Sequence, residues 1–179
     1  MDDGRTLIIV SNGWVDNPHG DTIDSFDEVC RINNAHVVGY EHLVGSKTTI
    51  WARWKGDDSP VDFHAEAKRK IGYGYRVDRN EGWEPIPDSV ADEIREHVFL
   101  ETKRVKHATT GLATLVYLLR EYPVIHLFNW FPRGEWKPHY WNDSHIPKHQ
   151  SCCHSHAPEL ERLYVEMLCD QGRVVLIED

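Results

Sequence analysis

The chain has 179 residues, 40% of them hydrophobic and 27% charged, and a formal net charge of −9. This length and balance predict one globular domain over residues 1–179 with a single core. The acidic charge argues against an extended nucleic-acid contact, because phosphate binding needs a basic face.

The sequence also lacks the usual marks of a membrane or secreted protein. No apolar run reaches the ~18 residues of a membrane span, and the start has no basic region typical of a signal peptide. The spacing of the four cysteines does not fit a disulfide framework: they are Cys30, Cys152, Cys153 and Cys169. We therefore expect no membrane span and a reducing, cytoplasmic setting.

Strand and helix patterns alternate along the chain. Apolar and β-branched runs predict strands at 6–13, 27–33, 47–54, 123–130 and 173–178. Periodic apolar residues and capping signals predict helices at 88–101, 109–122 and 158–172. Residues 55–88 are expected to be irregular, interrupted by a short helix around 60–70. The alternation predicts an α/β sandwich with a mainly parallel sheet flanked by helices.

Two polar stretches follow or open these elements. Asn12 comes directly after the first strand, where open α/β sheets bind ligands, although Asn-Gly is also a common turn former. Thr109, Thr110 and Gly111 open the second long helix, whose free N–H groups and positive dipole end suit an anion. Ordinary capping by threonine is the alternative for this stretch.

An aromatic loop at 133–143 raises a different question. It contains Trp136, His139, Tyr140 and Trp141, while Gly134 and Pro138 argue against a helix or a strand. Large aromatic side chains in a loop either cover a core edge or line a site.

Histidines and cysteines gather before the last helix. The adjacent Cys152 and Cys153, with His154 and His156, do not have the C-x₂₋₄-C spacing of a structural zinc site. His156 lies just ahead of the helix that opens at Pro158, where the dipole disfavours the imidazolium. It is a candidate general base, with simple helix capping as the alternative.

These stretches occur in an order that resembles the sialyl motifs, so the chain resembles the eukaryotic-type sialyltransferase family of glycosyltransferases. Residues 8–49 resemble the long motif and 108–119 the short motif. The aromatic loop resembles the third motif, and His156 with Glu161 five residues later resembles the very short motif. The long motif is carried by Asn12, Ile23, Asp24, Asp27, Arg31, Ile32, Asn33, Ala35, Gly39, Glu41 and the run from Val44 to Thr49.

The resemblance implies a donor site for a CMP-activated acidic sugar, either sialic acid or Kdo. Asn12 and Asn33 would contact the nucleotide, and Thr110 and Gly111 would hold the sugar end of the donor. The implied fold is a single Rossmann-like domain, a variant of the A-type glycosyltransferase fold.

The resemblance also implies a mechanism without metal or other cofactor that inverts the anomeric centre. His139 would hydrogen-bond the donor phosphate, and His156 would be the catalytic base that activates the acceptor hydroxyl of a glycan or other molecule. Aromatic residues in the irregular segment and the loop are expected on the acceptor side, with core packing as the alternative. They are Trp54, Tyr73, Tyr75, Trp83 and Trp136.

The sequence departs from the family in three ways. Leu7 stands where the family has a cysteine, and the short motif contains none, so the family's linking disulfide is not expected. Anchor and stem segments are not found, and the chain is much shorter than typical family catalytic domains. These departures favour a microbial or viral cytoplasmic relative over a Golgi enzyme. A nucleotide-binding module without transfer activity, or a structural domain with an aromatic partner surface, are the alternatives.

Overall fold

The computed structural model of the chain describes residues 4–54, 64, 66–74, 82–98, 108–130 and 158–179. Seven parallel strands form one sheet in the order β5-β4-β3-β2-β1-β6-β7. The strands are β1 (Leu7–Val10), β2 (Glu28–Ile32), β3 (Ile50–Trp54), β4 (Arg69–Tyr73), β5 (Glu84–Pro85), β6 (Ile125–Phe128) and β7 (Val174–Ile177). The helices are α1 (Gly20–Asp24), α2 (Glu41–Val44), α3 (Asp88–Val98), α4 (Thr110–Leu118) and α5 (Pro158–Asp170).

The sheet is covered on both faces, as the continuous apolar strands predict. Leu7 and Ile9 of β1 belong to the larger core cluster, under α3, α4 and α5. Their neighbours Ile8 and Val10 point to the other face, where α1 and α2 pack. This arrangement confirms the predicted α/β class with a parallel sheet. Among the described helices, none has the length and apolar character needed to cross a membrane.

Helix α4 is more deeply buried than its sequence pattern indicates. Leu112, Leu115, Val116 and Leu119 predict an amphipathic helix with one apolar face. In the structure most of its nine residues are buried, including Ala113 on another side. The helix is enclosed because it packs on the sheet and is also flanked by α3.

The prediction of an irregular segment at 55–88 is wrong in part. Strands β4 and β5 lie in it and extend the sheet beyond β3. The sequence of β4, RKIGY, has two basic residues and a glycine, so its strand character comes from pairing with β3 rather than from local preference. The described residues at 64 and 66–70 also form no helix.

A buried arginine holds the turn that follows α2. Arg31 of β2 is fully buried and donates hydrogen bonds to the carbonyl oxygens of Val44, Gly45 and Lys47. From α1, the carboxylate of Asp24 accepts from the backbone N–H groups of Ser46 (2.8 Å) and Lys47 (2.9 Å). Burial raises the pKa of Asp24, but these hydrogen bonds outweigh it and keep the pKa below its usual value. Much of the long motif thus forms a scaffold at the amino edge of the sheet, where α1 leads into β2 and α2 leads into β3.

Candidate functional site

The side of the sheet on which successive strands are added changes between β1 and β6, although all the strands are parallel. From β1 the chain adds β2 to β5 on one side and then returns to add β6 and β7 on the other. At such a switch point the loops leaving the two strands diverge, and the crevice outside their carboxyl ends binds ligands in open α/β sheets. Residues 11–14 follow β1, and Asn129 and Trp130 follow β6. The topology therefore places the candidate site beside these residues.

Asn12 reaches across this edge towards the neighbouring strand. Its side-chain Nδ2 donates to the carbonyl oxygen of Ile32, the last residue of β2, at 2.9 Å. Asn33 follows Ile32 directly, so the two asparagines expected at the nucleotide lie side by side. The structure brings together residues that are well separated in the sequence.

Asn33 is held in a fixed orientation by three hydrogen bonds. Its φ of 52° is left-handed, a conformation that asparagine tolerates better than most residues. Its carbonyl oxygen accepts from Nε1 of Trp51 at 2.7 Å, and its N–H donates to the carbonyl of Ala52 at 2.7 Å. Its side-chain Oδ1 accepts from the N–H of Trp54 at 3.0 Å. Because Oδ1 is engaged, the remaining hydrogen-bonding group of this half-buried side chain is Nδ2, a donor.

The first turn of α4 forms the other side of the crevice. Thr109 is its N-cap, and the Thr109 hydroxyl accepts from the N–H of Leu112 at 3.1 Å. Thr110 is buried, and its carbonyl accepts from the hydroxyl of Thr114. The N–H groups of Thr110 and Gly111 have no acceptor within the helix, since the first N–H groups of any helix lack one. Together with the helix dipole they suit an anionic group.

Gly111 permits a close contact with Trp130. A Cβ atom on Gly111 would lie only 2.8 Å from Cη2 of the Trp130 ring. The hydroxyl of Ser11 donates to the carbonyl of Asn129, which ties the loop after β1 to the loop after β6. These contacts link the α4 turn to the switch point. The sequence interpretation assigned no role to Asn129 or Trp130, although their position at the end of a predicted strand is a usable signal.

Trp54 and Tyr73 extend this edge along the sheet. They end β3 and β4, and their rings meet edge to face with centroids 5.4 Å apart. Both side chains are half-buried, and the backbone N–H of Trp54 donates a hydrogen bond to Oδ1 of Asn33. Trp54 therefore lies next to Asn33 and Tyr73 lies next to Trp54, and their role on the acceptor side stays a prediction.

Trp83 does not share that placement. It is 7% exposed and packs against Trp51, with ring centroids 5.0 Å apart, in a cluster with Ala67. Stacking on a sugar needs an open ring face, and the faces of Trp83 are used in packing. This burial favours the packing alternative for Trp83, and its role on the acceptor side stays a prediction.

The remaining predicted residues lie outside the described part of the chain. They are Tyr75, Trp136, His139 and His156, together with the cysteines and histidine at 152–154. The assignments of His139 and His156 as phosphate ligand and base stay predictions. Within the described ranges, no three His, Cys, Asp or Glu side chains are grouped to hold a metal ion.

The topology defines an open α/β domain with a switch point between β1 and β6, and solved structures specify its fold. The crystal structure of a mammalian sialyltransferase superposes with a TM-score of 0.72 at 18% identity, covering 97% of this chain and 68% of that one. The α-2,3-sialyltransferase Cst-I from Campylobacter jejuni has a TM-score of 0.63 at 12% identity, covering 97% and 75%. The sialyltransferase Cst-II in complex with CMP has a TM-score of 0.62 at 12% identity, covering 97% and 80%. The fold is therefore the variant of the A-type glycosyltransferase fold found in sialyltransferases.

Sequence comparisons find similarity to the same kind of protein. Residues 5–53 match glycosyltransferase family 29 (sialyltransferase). The human CMP-N-acetylneuraminate-beta-galactosamide-alpha-2,3-sialyltransferase 4 is 48% identical over 161 residues, covering 69% of this chain and 48% of that protein. The chimpanzee protein of the same name is 26% identical over 161 residues, with 69% and 49% covered. The chain is thus similar to sialyltransferases of this family, and it spans about half the length of the curated relatives it matches.

Proposed function

We propose that this chain transfers an acidic sugar, sialic acid or Kdo, from a CMP-sugar donor to the hydroxyl of an acceptor. The observation that carries the proposal is the β1–β6 switch point, where Asn12 binds Ile32 next to Asn33 and Gly111 of the first turn of α4 lies against Trp130 after β6. One of the proteins that share the fold was crystallised with CMP.

The polarity of the crevice suits such a donor. Nδ2 of Asn33 would donate to an acceptor atom of the cytidine, either on the ribose or on the base. The first turn of α4 would receive an anion, and both the phosphate and the sugar carboxylate of the donor are anionic. The crevice is thus a local anion site on a chain whose net charge is −9.

The proposed reaction is a single displacement with inversion. The acceptor oxygen forms a bond to the anomeric carbon on the face opposite CMP, while the bond from that carbon to the phosphate oxygen breaks. The electron pair of the broken bond leaves on the CMP phosphate. His156 takes the proton of the acceptor hydroxyl as general base.

The leaving phosphate gains negative charge in this step and needs stabilisation. Under the proposal His139 donates a hydrogen bond to it, and the N–H groups of Thr110 and Gly111 contribute from the end of α4. These groups supply positive potential without a metal ion, so we propose a metal-independent reaction.

A transfer assay tests the proposal. The protein would be incubated with CMP-sialic acid or CMP-Kdo, a panel of galactose-terminated acceptors and a metal chelator. We expect release of CMP coupled to a product whose anomeric configuration is opposite to that of the donor. Binding of CMP without transfer to any acceptor would favour a nucleotide-binding module, and activity that requires added metal would contradict the metal-independent step.

The substitution His156→Ala tests the base. We expect kcat to fall by about 10²–10⁴ while CMP affinity stays within about twofold, because a base acts on the acceptor hydroxyl. The fall in activity on the acid side of the pH profile should also vanish in the remaining activity. His154→Ala, two residues away, is the matched control and should keep near-normal turnover. If His154→Ala is the inactive variant, the base is misassigned.

A further inference from the structure

A buried carboxylate connects the first turns of two helices. Glu161 lies in the first turn of α5 and is only 5% exposed. Its Oε1 accepts from the backbone N–H of Thr109 at 2.8 Å, and its Oε2 accepts from the Thr109 hydroxyl at 2.7 Å. Both oxygens of the carboxylate therefore bind the same residue, which fixes Thr109 in two directions.

The Thr109 hydroxyl has a second partner. It accepts from the N–H of Leu112 and so caps α4. A hydroxyl has one proton, and here that proton points to Glu161 while an oxygen lone pair faces Leu112. Glu161 thus sets the orientation of the cap as well as the position of its backbone.

The next two residues are those assigned to the donor. Thr110 is buried against the core, and Gly111 lies against the ring of Trp130. With Glu161 on one side and Trp130 on the other, the first turn of α4 has little freedom to shift. The free N–H groups of that turn would then meet the donor in a fixed geometry.

We propose that Glu161 is a positioning residue: by binding Thr109 it fixes the place where the first turn of α4 presents its N–H groups to the phosphate or carboxylate of the donor. The inference rests on the proposed function. Glu161 does not touch the reacting atoms in this role, so it acts through Thr109 rather than as an acid or a base.

The test compares cytidine with CMP by isothermal titration calorimetry. The two ligands share the nucleoside, and CMP adds the phosphate that the α4 turn would bind. Glu161→Gln keeps the size of the side chain but replaces one acceptor oxygen with an amide donor. Thr109→Val removes the hydroxyl from the other side of the contact, and Thr109→Ser, which keeps the hydroxyl, is the matched control.

We expect Glu161→Gln and Thr109→Val each to weaken CMP binding by about tenfold, because a misplaced turn loses aligned hydrogen bonds. Cytidine affinity should stay within about twofold, and Thr109→Ser should resemble the wild type. The double variant should be no weaker than the worse single variant, since both act through one contact. Residual transfer by Glu161→Gln should keep the shape of the wild-type pH profile.

Several outcomes would overturn the positioning role. These are equal losses for cytidine and CMP, lost stability with unchanged CMP affinity, tighter CMP binding in Glu161→Gln, or additive effects in the double variant. If Glu161→Gln does not fold, Thr109→Val and Thr109→Ser still test the positioning role, because CMP affinity can be compared with cytidine affinity in both variants. A wild-type protein that binds neither ligand would overturn the proposed function itself.

Discussion

Asn33 has a structural role at one end of its side chain and a proposed ligand role at the other. Its Oδ1 binds the N–H of Trp54 and its backbone adopts a left-handed φ of 52°, so one end of the side chain is structural. The other end carries the donor Nδ2, which is the group proposed to bind the ligand. This division allows the ligand role to be tested without removing the structural one.

We expect Asn33→Asp to fold normally and to lose CMP affinity by at least about tenfold. The aspartate keeps an oxygen for Trp54 and tolerates the left-handed backbone, but it replaces the donor with a negative charge facing an anionic ligand. Calorimetric titration with CMP measures the loss. Asn34→Asp makes the same change at the exposed neighbouring position and should bind like the wild type. Unchanged CMP affinity in Asn33→Asp would remove Asn33 from the site.

The first turn of α4 depends on a contact that has no room for a side chain. A methyl group on Gly111 would overlap the ring of Trp130, at 2.8 Å from Cη2. We expect Gly111→Ala to reduce the free energy of unfolding by about 1–3 kcal/mol, the usual cost of overpacking, and to weaken CMP binding. Urea denaturation measures the first effect. Adding Trp130→Phe, which has a smaller ring, should restore part of the stability. An unchanged free energy of unfolding in Gly111→Ala would show that the Trp130 ring can move aside without cost.

A charged cluster braces the far edge of the sheet. Arg69 of β4 binds Glu84 of β5 with two hydrogen bonds of 2.8 Å and also binds Glu121 after α4 at 2.6 and 2.7 Å. The Tyr117 hydroxyl also donates to Glu84. The hydrogen bonds from Arg69 outweigh burial and hold the pKa of Glu84 below its usual value. This cluster supports β4 and β5, whose own sequences favour strands weakly.

We expect Glu84→Gln to lower the free energy of unfolding by about 1 kcal/mol at pH 7, a modest figure because the side chain is partly exposed and solvent screens it. A lowered carboxyl pKa contributes stability above the unfolded value of about 4.3 and loses it as pH falls through the folded value. The difference between variant and wild type should therefore narrow below about pH 4. Urea titrations over this pH range measure it.

Glu93 offers the control for this cluster, since it forms a single exposed pair with Arg120 at 3.2 Å. Glu93→Gln should change the free energy of unfolding by less than about 0.5 kcal/mol. Equal effects of the two substitutions would show that the Arg69 cluster is no stronger than an ordinary surface pair.

The sequence predicted those helices and strands whose apolar pattern or capping residues lie within the element itself. The apolar run of β1 and the cap and periodicity of α4 are visible in the sequence, and both elements are found where expected within a few residues. β4 was missed because its pairing with β3 and its brace at Arg69 depend on residues far away in the chain. No window of sequence contains that information.

The same distinction between local signals and long-range contacts applies to the candidate site. Asn12 and the α4 turn could be proposed as site residues because strand and helix ends are visible in the sequence, and their ligand role stays a prediction. The contacts Glu161–Thr109 and Trp130–Gly111 join elements that only the folded sheet brings together. The burial of Trp83 was not visible in the sequence, because burial of an aromatic ring depends on its packing partners, here Trp51 and Ala67.

At the scale of the whole chain, the strand order and the segment matched by the family model point to the same part of the sheet. The switch point between β1 and β6 is where an open α/β sheet binds a ligand, and the matched segment 5–53 supplies β1, β2 and most of β3 around it. The chain spans about half of its curated relatives, yet it covers 68% of the mammalian structure that shares its fold.

The binding of CMP tests this account most directly. Thermal and chemical unfolding would be measured with CMP, CDP, UDP and GDP, each in the presence of a metal chelator. At 100 times its dissociation constant, CMP should raise the free energy of unfolding by about 2.7 kcal/mol, because it binds the folded chain and not the unfolded one. UDP and GDP should have much smaller effects at the same concentration. Stabilisation by UDP or GDP but not CMP, or by none of the four nucleotides, would contradict the assignment of the crevice as a CMP-sugar site.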